Sequence, residues 1–487
     1  MTLSFDPDKL DLPIGHYIGG KLIAAEGVIA MQRPSDGESA GFCPRADAGI
    51  VDQAVENAHM ALKSSGWGAV SPRERTRAMQ AWADLIEADI AVLGPLEAAP
   101  STRLISQVPS FDIGITAEQI RFFAELADKE CGALAPTHEG ALGMIMDEPI
   151  GVIGAITPWN FPITMAGWKL GPALAAGNAV VLKPSEMTPW STIRLAELAI
   201  KAGIPAGIIN IVLGDGPVTG NALTGHPGIG KVSFTGSTAA GQAIMGNVAQ
   251  TGIKPVTLEL GGKSPQIVFA DADLALAARC IAGSILFNAG QACVAGSRVL
   301  VEDSLAPALA DALIAHFTAV KPVRTWQEGG NFSPVISARQ IARMDGITAA
   351  AKAEGAEILT GGAQMDRPGF YYQPTILAGI AQDSPAVTEE IFGPVLTFQT
   401  FRDEAEALRM ADHPTYGLCA GLYTKDLSRA IRMTRAIETG TVWVNRYGRS
   451  RDHVLPTGGY KSSGIGKDLG REAYHANRRS KSVLIDL

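Results

Sequence analysis

The chain has 487 residues, 46% hydrophobic and 18% charged, with a formal net charge of −8 from 41 basic and 49 acidic residues. At about 150 residues per domain, this length predicts two or three globular domains with ample core. The acidic balance and the lack of a long basic run argue against nucleic acid as a partner, because a duplex binder needs a basic stripe to neutralise phosphates.

The first residues, "MTLSFDPDKLDLP", carry three acids by position 11 and no apolar h-region, so they do not read as a secretory signal. Residues 51–63 and 74–93 place apolar side chains at helical spacing, among them Met79, Trp82, Leu85, Ile86 and Ile90, and Ser71-Pro72 supplies a cap and first turn for the second. The most apolar tract, 149–182, is interrupted by Pro158, Pro162, Lys169 and Pro172, which argues against a membrane span. A cytoplasmic protein with no membrane partner is expected.

From 151 onward short apolar runs alternate with helix-length stretches. Strands are expected at 151–156, 179–183, 208–212, 231–235 and 256–260, with helices at 190–202 and 238–250. Such alternation predicts a parallel sheet with crossover helices, hence the α/β class. A second alternating region follows, with strands at 297–302, 421–424 and 441–445 and helices at 305–319 and 338–354. The tail 480–487 reads as a terminal strand. No internal repeat or low-complexity linker separates the two regions.

Five cysteines lie at 43, 131, 280, 293 and 419, an odd number with no CxxC. That pattern argues against a disulfide framework or a cysteine zinc site, and no metal is expected. Cys293 lies in "NAGQACVAGSR", where small neighbours leave room for a substrate carbon and free backbone N–H groups for an oxyanion. Cysteine is also the best neutral-side-chain nucleophile. An inert, small buried filler fits the same residue. None of the eight histidines stands out as its base, so a carboxylate is the alternative. Glu259, in "TLELGGKS", ends a strand, and an apolar setting would raise its pKa toward the range of a general base; an edge acid facing water is the bland reading. In "TPWNFP", Asn160 sits on a rigid apolar loop and could donate its amide to an oxyanion, or simply make a turn. "FTGSTAAG" ends a strand and opens a helix, as a pyrophosphate site does, although a tight turn needs the same residues. "KPSE" puts Lys183 and Glu186 at a strand's carboxyl end, where open α/β sheets bind ligands; an acid there could accept both hydroxyls of an adenosine ribose and repel a 2′-phosphate.

Together "TPWNFP", "WKLGPALAAGN", "KPSE", "FTGSTAAG", "LELGGKSP", "NAGQACVAGSR", "EEIFGPV", "YGLCAGLYT", "GTVWVN" and "GGYKSSGIG" resemble, in order, the motifs of the NAD(P)-dependent aldehyde dehydrogenase superfamily, from about residue 15 to the C-terminus. The resemblance implies an aldehyde dehydrogenase-like fold: a Rossmann-type NAD(P)-binding domain (1–126 and 150–258), an α/β catalytic domain (259–470) and a small β oligomerisation element (127–149 and 471–487). It also implies a homodimer or homotetramer in which the terminal strand joins a partner's sheet. Cys293 is then the nucleophile, Asn160 with the Cys293 N–H the oxyanion donor, and Glu259 the general base. Lys169 supports the active-site loop and proton relay. The cofactor, NAD with NADP as the alternative, would lie against Ile156, Trp159, Lys183, Ser185, Glu186, Gly216, Phe234, Gly236, Ser237, Leu260, Glu390 and Phe392. The small-molecule aldehyde would meet Phe161, Met165, Trp168, Ala292, Val294, Arg451 and Thr457.

Three segments depart from the pattern. "EAAPSTRLIS" (97–106) and the loop 320–337 lack the usual residues and receive no role, and Asp468 stands where many members have glutamate. The loop 445–459 carries Arg446, Arg449, Arg451 and His453. One of these arginines could bind a substrate carboxylate, as in semialdehyde oxidation; an arginine-rich subunit interface is the favoured reading, because exposed ion pairs are common. Two other readings stay in view. A coenzyme A-acylating relative shares the cysteine but commonly lacks the glutamate present at 259. A catalytically inactive structural member is disfavoured by the intact Cys293, Glu259 and Asn160.

Overall fold

A computed structural model describes residues 3–448, 451 and 453–487. Near-continuous apolar runs make strands buried on both faces, as a parallel sheet covered by helices requires. Val152–Ile156, Ala179–Lys183 and Lys231–Thr235 are buried throughout. They lie in an eight-stranded sheet whose core is parallel, in the order Ile209–Ile211, Ala179–Lys183, Val152–Ile156, Lys231–Thr235, Val256–Glu259. Antiparallel strands close both ends: the hairpin His16–Ile18/Lys21–Ile23, and Gly464–Ile465, which pairs with Leu258 and Glu259. A second sheet of seven strands, built from 357–444, 298–302 and 265–268, is parallel except for its first pair.

The expected helix over 74–93 is two helices, Pro72–Ala88 and Ile90–Ala98. Asp89 breaks it with φ −93° and ψ 17°, and its carboxylate takes the guanidinium of Arg194 at 2.8 and 2.7 Å. The helix Pro162–Ala175 is buried along its whole length and opens with proline, whose missing N–H is not needed there. A three-stranded antiparallel sheet joins Ala133–Ala135, Ala141–Pro149 and the terminal strand Arg478–Asp486, which pairs with Ala141–Pro149 over nine positions. Among the described residues no helix is long and apolar enough to cross a membrane, and none of the five cysteines forms a disulfide.

Candidate active site

The loop that carries Cys293 leaves the helix Leu274–Leu286 through three consecutive left-handed residues, Asn288 (φ 51°), Ala289 (φ 49°) and Gly290 (φ 72°). Two of them are not glycine, so the conformation costs about 1 kcal/mol or more at each and must be held by its surroundings. A buried hydrogen-bond network holds it. Asn288 Nδ2 donates to the Asn160 carbonyl at 3.1 Å, and its Oδ1 accepts from the Thr102 hydroxyl at 2.7 Å. Gln291 Nε2 donates to the carbonyls of Asn288 and Pro334 at 2.9 and 3.1 Å, and its Oε1 accepts from Ile336 N–H at 2.8 Å. Asn160 Nδ2 donates to the Gln291 carbonyl at 2.9 Å. Asn160 and the cysteine loop are therefore fixed to each other, and the atypical loop 320–337 supplies two of the bonds.

The second component is a pair of adjacent strand ends. Thr235 and Glu259 are in register on neighbouring parallel strands, and Gly236 N–H donates to the Glu259 carbonyl at 3.0 Å. Gly236 lies against Phe234, where a Cβ would come within 2.4 Å of the ring. Ser237 caps the helix Thr238–Thr251 by accepting from Ala240 N–H at 3.3 Å. Glu259 is buried against Gly458, where a Cβ would lie 2.7 Å from Glu259 Oε1. Beyond Glu259 the two glycines of "LGGK" run between the other parts of the site. A Cβ on Gly261 would strike Glu390 Oε2 at 2.2 Å, and one on Gly262 would meet the Cys293 carbonyl oxygen at 2.9 Å.

The third component is the loop at 389–392. Gln340 donates to the carbonyls of Ile391 and Phe392 at 2.6 and 2.9 Å, and Arg343 to the Glu390 carbonyl at 2.8 Å. These bonds hold Phe392 at φ 58°, edge-on to Trp159 with centroids 5.4 Å apart. Glu390 accepts from Gly262 N–H at 3.0 Å. Burial pushes its carboxyl up to about 7, against the opposing pull of that N–H, Lys263 and Arg343.

These components surround one cavity of about 1140 Å³. Of the expected residues it is lined by Trp159, Asn160, Phe161, Met165, Trp168, Gly236, Ser237, Leu260, Ala292, Cys293, Val294, Glu390, Phe392 and Arg451. Glu259 lies one residue outside the lining. Ile156 and Phe234 are buried beneath the strand ends. Lys183, Ser185, Glu186 and Gly216 lie farther along the sheet edge. There Lys183 Nζ donates to the Gly214 and Pro184 carbonyls at 2.6 and 3.0 Å and stands 3.6 Å from Glu186 Oε2; burial lowers its pKa and Glu186 opposes this. Ser185 Oγ accepts from Met187 N–H at 3.3 Å, while Gly216 is exposed.

Thr457 does not reach the cavity. It is 1% exposed, and its backbone is paired in both directions with Asp468 at 2.6 and 2.9 Å; Leu455 and Pro456 line the wall in its place. Lys169 is likewise behind the wall, in a buried ion pair with Asp468 at 2.5 Å. Arg451 is committed within the chain, to Glu118 Oε1 at 2.6 Å and the Ser110 carbonyl at 3.0 Å, and Arg449 lies outside the described residues. Phe111, Cys280, Phe287, Gln340, Arg343 and Tyr447 also line the cavity and were not expected. Phe287 directly precedes the cysteine motif and could have been found by extending it; the others carry no local signal.

The family model of the aldehyde dehydrogenase family matches residues 23–483. An aldehyde dehydrogenase of Agaricus bisporus is 38% identical over 482 residues, covering 97% of this chain and 95% of the relative. Cytosolic 10-formyltetrahydrofolate dehydrogenase of Xenopus tropicalis is 36% identical over 483 residues, and this chain spans about half of its length (53%). The solved structure of the P. syringae indole-3-acetaldehyde dehydrogenase AldA, a cysteine-to-alanine mutant in complex with NAD+ and IAA, superposes with a TM-score of 0.96 at 39% identity, covering 99% of this chain and 98% of that one. With a family model over nearly the whole sequence, close relatives and the same fold, the chain belongs to the aldehyde dehydrogenase family.

Proposed function

We propose that this chain oxidises an aldehyde to the carboxylic acid with NAD+ through a thioester on Cys293. The observation that carries this reading is the rigid coupling of Asn160 to the Cys293 loop at the wall of one large cavity. A dinucleotide fits the other end. There the N-terminus of a 14-residue helix opens into the cavity through Gly236 and Ser237, and such a terminus attracts phosphate. Bound NAD+ supplies the two-electron acceptor. Glu186 at the sheet edge favours NAD over NADP, because a 2′-phosphate beside it would be repelled.

The protein's own residues do the following. The Cys293 thiolate forms a C–S bond to the aldehyde carbon, and the carbonyl oxygen becomes an oxyanion. Asn160 has one amide N–H on the Gln291 carbonyl, and its other N–H and the Cys293 backbone N–H receive the oxyanion. Oxidation then restores the carbonyl as a thioester. Glu259 takes a proton from water, which adds to the thioester; the C–S bond breaks and the acid leaves. Gly458 leaves the space through which the Glu259 carboxylate can move. The Lys169–Asp468 pair holds the wall behind Trp168. Arg446, at the mouth, favours a carboxylated aldehyde as a second reading, Arg451 being occupied by Glu118.

The two sheets support the division into a nucleotide-binding and a catalytic domain, with the exposed edge of Arg478–Asp486 available for assembly into a dimer or tetramer. A cytoplasmic location is consistent with five cysteines that form no disulfide among the described residues. NADH release by the purified protein tests the reading: Cys293→Ala should abolish it while circular dichroism is unchanged, and the product should remain the free acid when coenzyme A is added. Activity retained by Cys293→Ala, or formation of acyl-coenzyme A, would overturn it.

A further inference from the structure

Arg103 lies in the segment that departs from the family pattern, and its side chain is completely buried. Asp112 takes the guanidinium at 2.9, 3.1 and 3.1 Å through Nε and Nη2, whereas Nη1 has no hydrogen-bond partner. What surrounds it instead is aromatic. The guanidinium carbon lies 5.3 Å from the centroid of Phe111, 4.8 Å from Phe161 and 4.7 Å from Phe287. Phe161 and Phe287 are nearly parallel, at 17° and 5.8 Å, and Phe111 packs at 4.9 Å from Phe287. All three rings line the cavity beside Asn160 and Cys293. The substrate wall is thus three phenyl rings with a buried cation behind them.

A cation draws π-electron density toward its own side of a ring. The sides of the rings away from the guanidinium are left less negative, which weakens the attraction such rings would have for an ammonium group and favours offset stacking with an electron-rich arene. The rest of the lining agrees: among the described residues it includes Arg279, Arg339, Arg343, Arg446 and Arg451, and its one carboxylate, Glu390, is at the far end beside Gly262. We propose that Arg103 is a specificity-determining positioning residue, fixing and polarising Phe111, Phe161 and Phe287 so that the enzyme selects neutral, flat aryl-substituted aldehydes and rejects cationic ones. The proposal rests on the reading of Cys293 as the nucleophile.

The test compares kcat/KM for phenylacetaldehyde, for betaine aldehyde (a permanent cation) and for propanal, in the wild type and in Arg103→Met/Asp112→Asn. The double variant removes both charges, so neither is left buried alone. The wild type should prefer phenylacetaldehyde to betaine aldehyde at least tenfold. In the variant this ratio should fall at least fivefold, through KM, while propanal stays within threefold of wild type. A wild type that prefers betaine aldehyde overturns the proposal without need of the variant. So does a folded variant whose ratio is unchanged, or one that loses activity on all three substrates equally. No NADH from any aldehyde with the wild type would instead refute the reading of Cys293 itself.

Discussion

Replacing Gly262 by alanine would place a Cβ 2.9 Å from the Cys293 carbonyl oxygen and 3.0 Å from Leu418 Cβ. Ordinary contact between such atoms begins at about 3.5 Å, so the cysteine loop or the segment at Leu418 must move by roughly half an ångström. Neither Gly261 nor Gly262 has a left-handed φ, so the effect is steric. Overpacking of this kind costs about 1–3 kcal/mol, and a nucleophile displaced by part of an ångström loses roughly ten- to a hundredfold in rate. Gly261→Ala is the matched control. Its Cβ would strike Glu390 Oε2 at 2.2 Å rather than the cysteine loop. Displacing Glu390 breaks its bond to Gly262 N–H, worth about 0.5–1.5 kcal/mol to the neutral carboxyl and about 1.5–3 kcal/mol once it ionises. Steady-state kinetics in both substrates, with active-site titration of the thiol, separate the two outcomes. Gly262→Ala should lower kcat with the KM for NAD+ nearly unchanged, and Gly261→Ala should raise that KM by roughly tenfold or more. Equal effects of the two variants on both parameters, or the opposite assignment, would refute the proposed roles of the Cys293 loop beside Gly262 and of Glu390 beside Gly261.

Removing one oxyanion donor typically costs about 10²–10³ in kcat, so Asn160→Ala should slow the NADH burst by that factor; a burst within threefold of wild type would exclude Asn160 as the donor. Asp468→Asn leaves the Lys169 ammonium buried beside a neutral amide and should cost about 3–5 kcal/mol in urea denaturation, with most of it recovered in Lys169→Met/Asp468→Leu. Glu390 has its folded pKa raised from 4.5 to about 7. Between these values the unfolded chain has lost a proton that the folded protein keeps, so the residue's contribution to stability falls as pH rises through this window. The Tm of Glu390→Gln minus that of wild type should therefore grow from pH 5 to pH 7, and a difference independent of pH would contradict the buried position of the carboxyl.

Two of the parallel strands were legible because a strand buried on both faces reads as a near-continuous apolar run, and "VIGAI" and "AVVLK" are such runs. The short hairpin His16–Ile18/Lys21–Ile23 was not, being three residues a side with exposed positions. Asn160, Glu259 and Cys293 stood out because each pairs a reactive group with small or rigid neighbours. What held them did not. Ala289 gives no hint of φ 49°, since the conformation is imposed by Asn288 and Gln291 reaching Thr102, Asn160 and Pro334. The aromatic wall gathers Phe111, Phe161 and Phe287 around Arg103, and no local pattern announces a cation that pairs nine residues away and stacks on rings far along the chain. Thr457 failed for a related reason: position in a motif fixes the backbone, and here the backbone turns the residue onto Asp468.

If Cys293 carries a covalent acyl group that Glu259 releases, blocking that release must leave the group on the protein. Intact-protein mass spectrometry of Glu259→Gln after mixing with phenylacetaldehyde and NAD+ tests it most directly. One acyl group per chain should accumulate on Cys293, with one equivalent of NADH formed in a burst and little turnover after it. An unmodified protein that nevertheless turns over, or an acyl group on any other residue, would contradict the account.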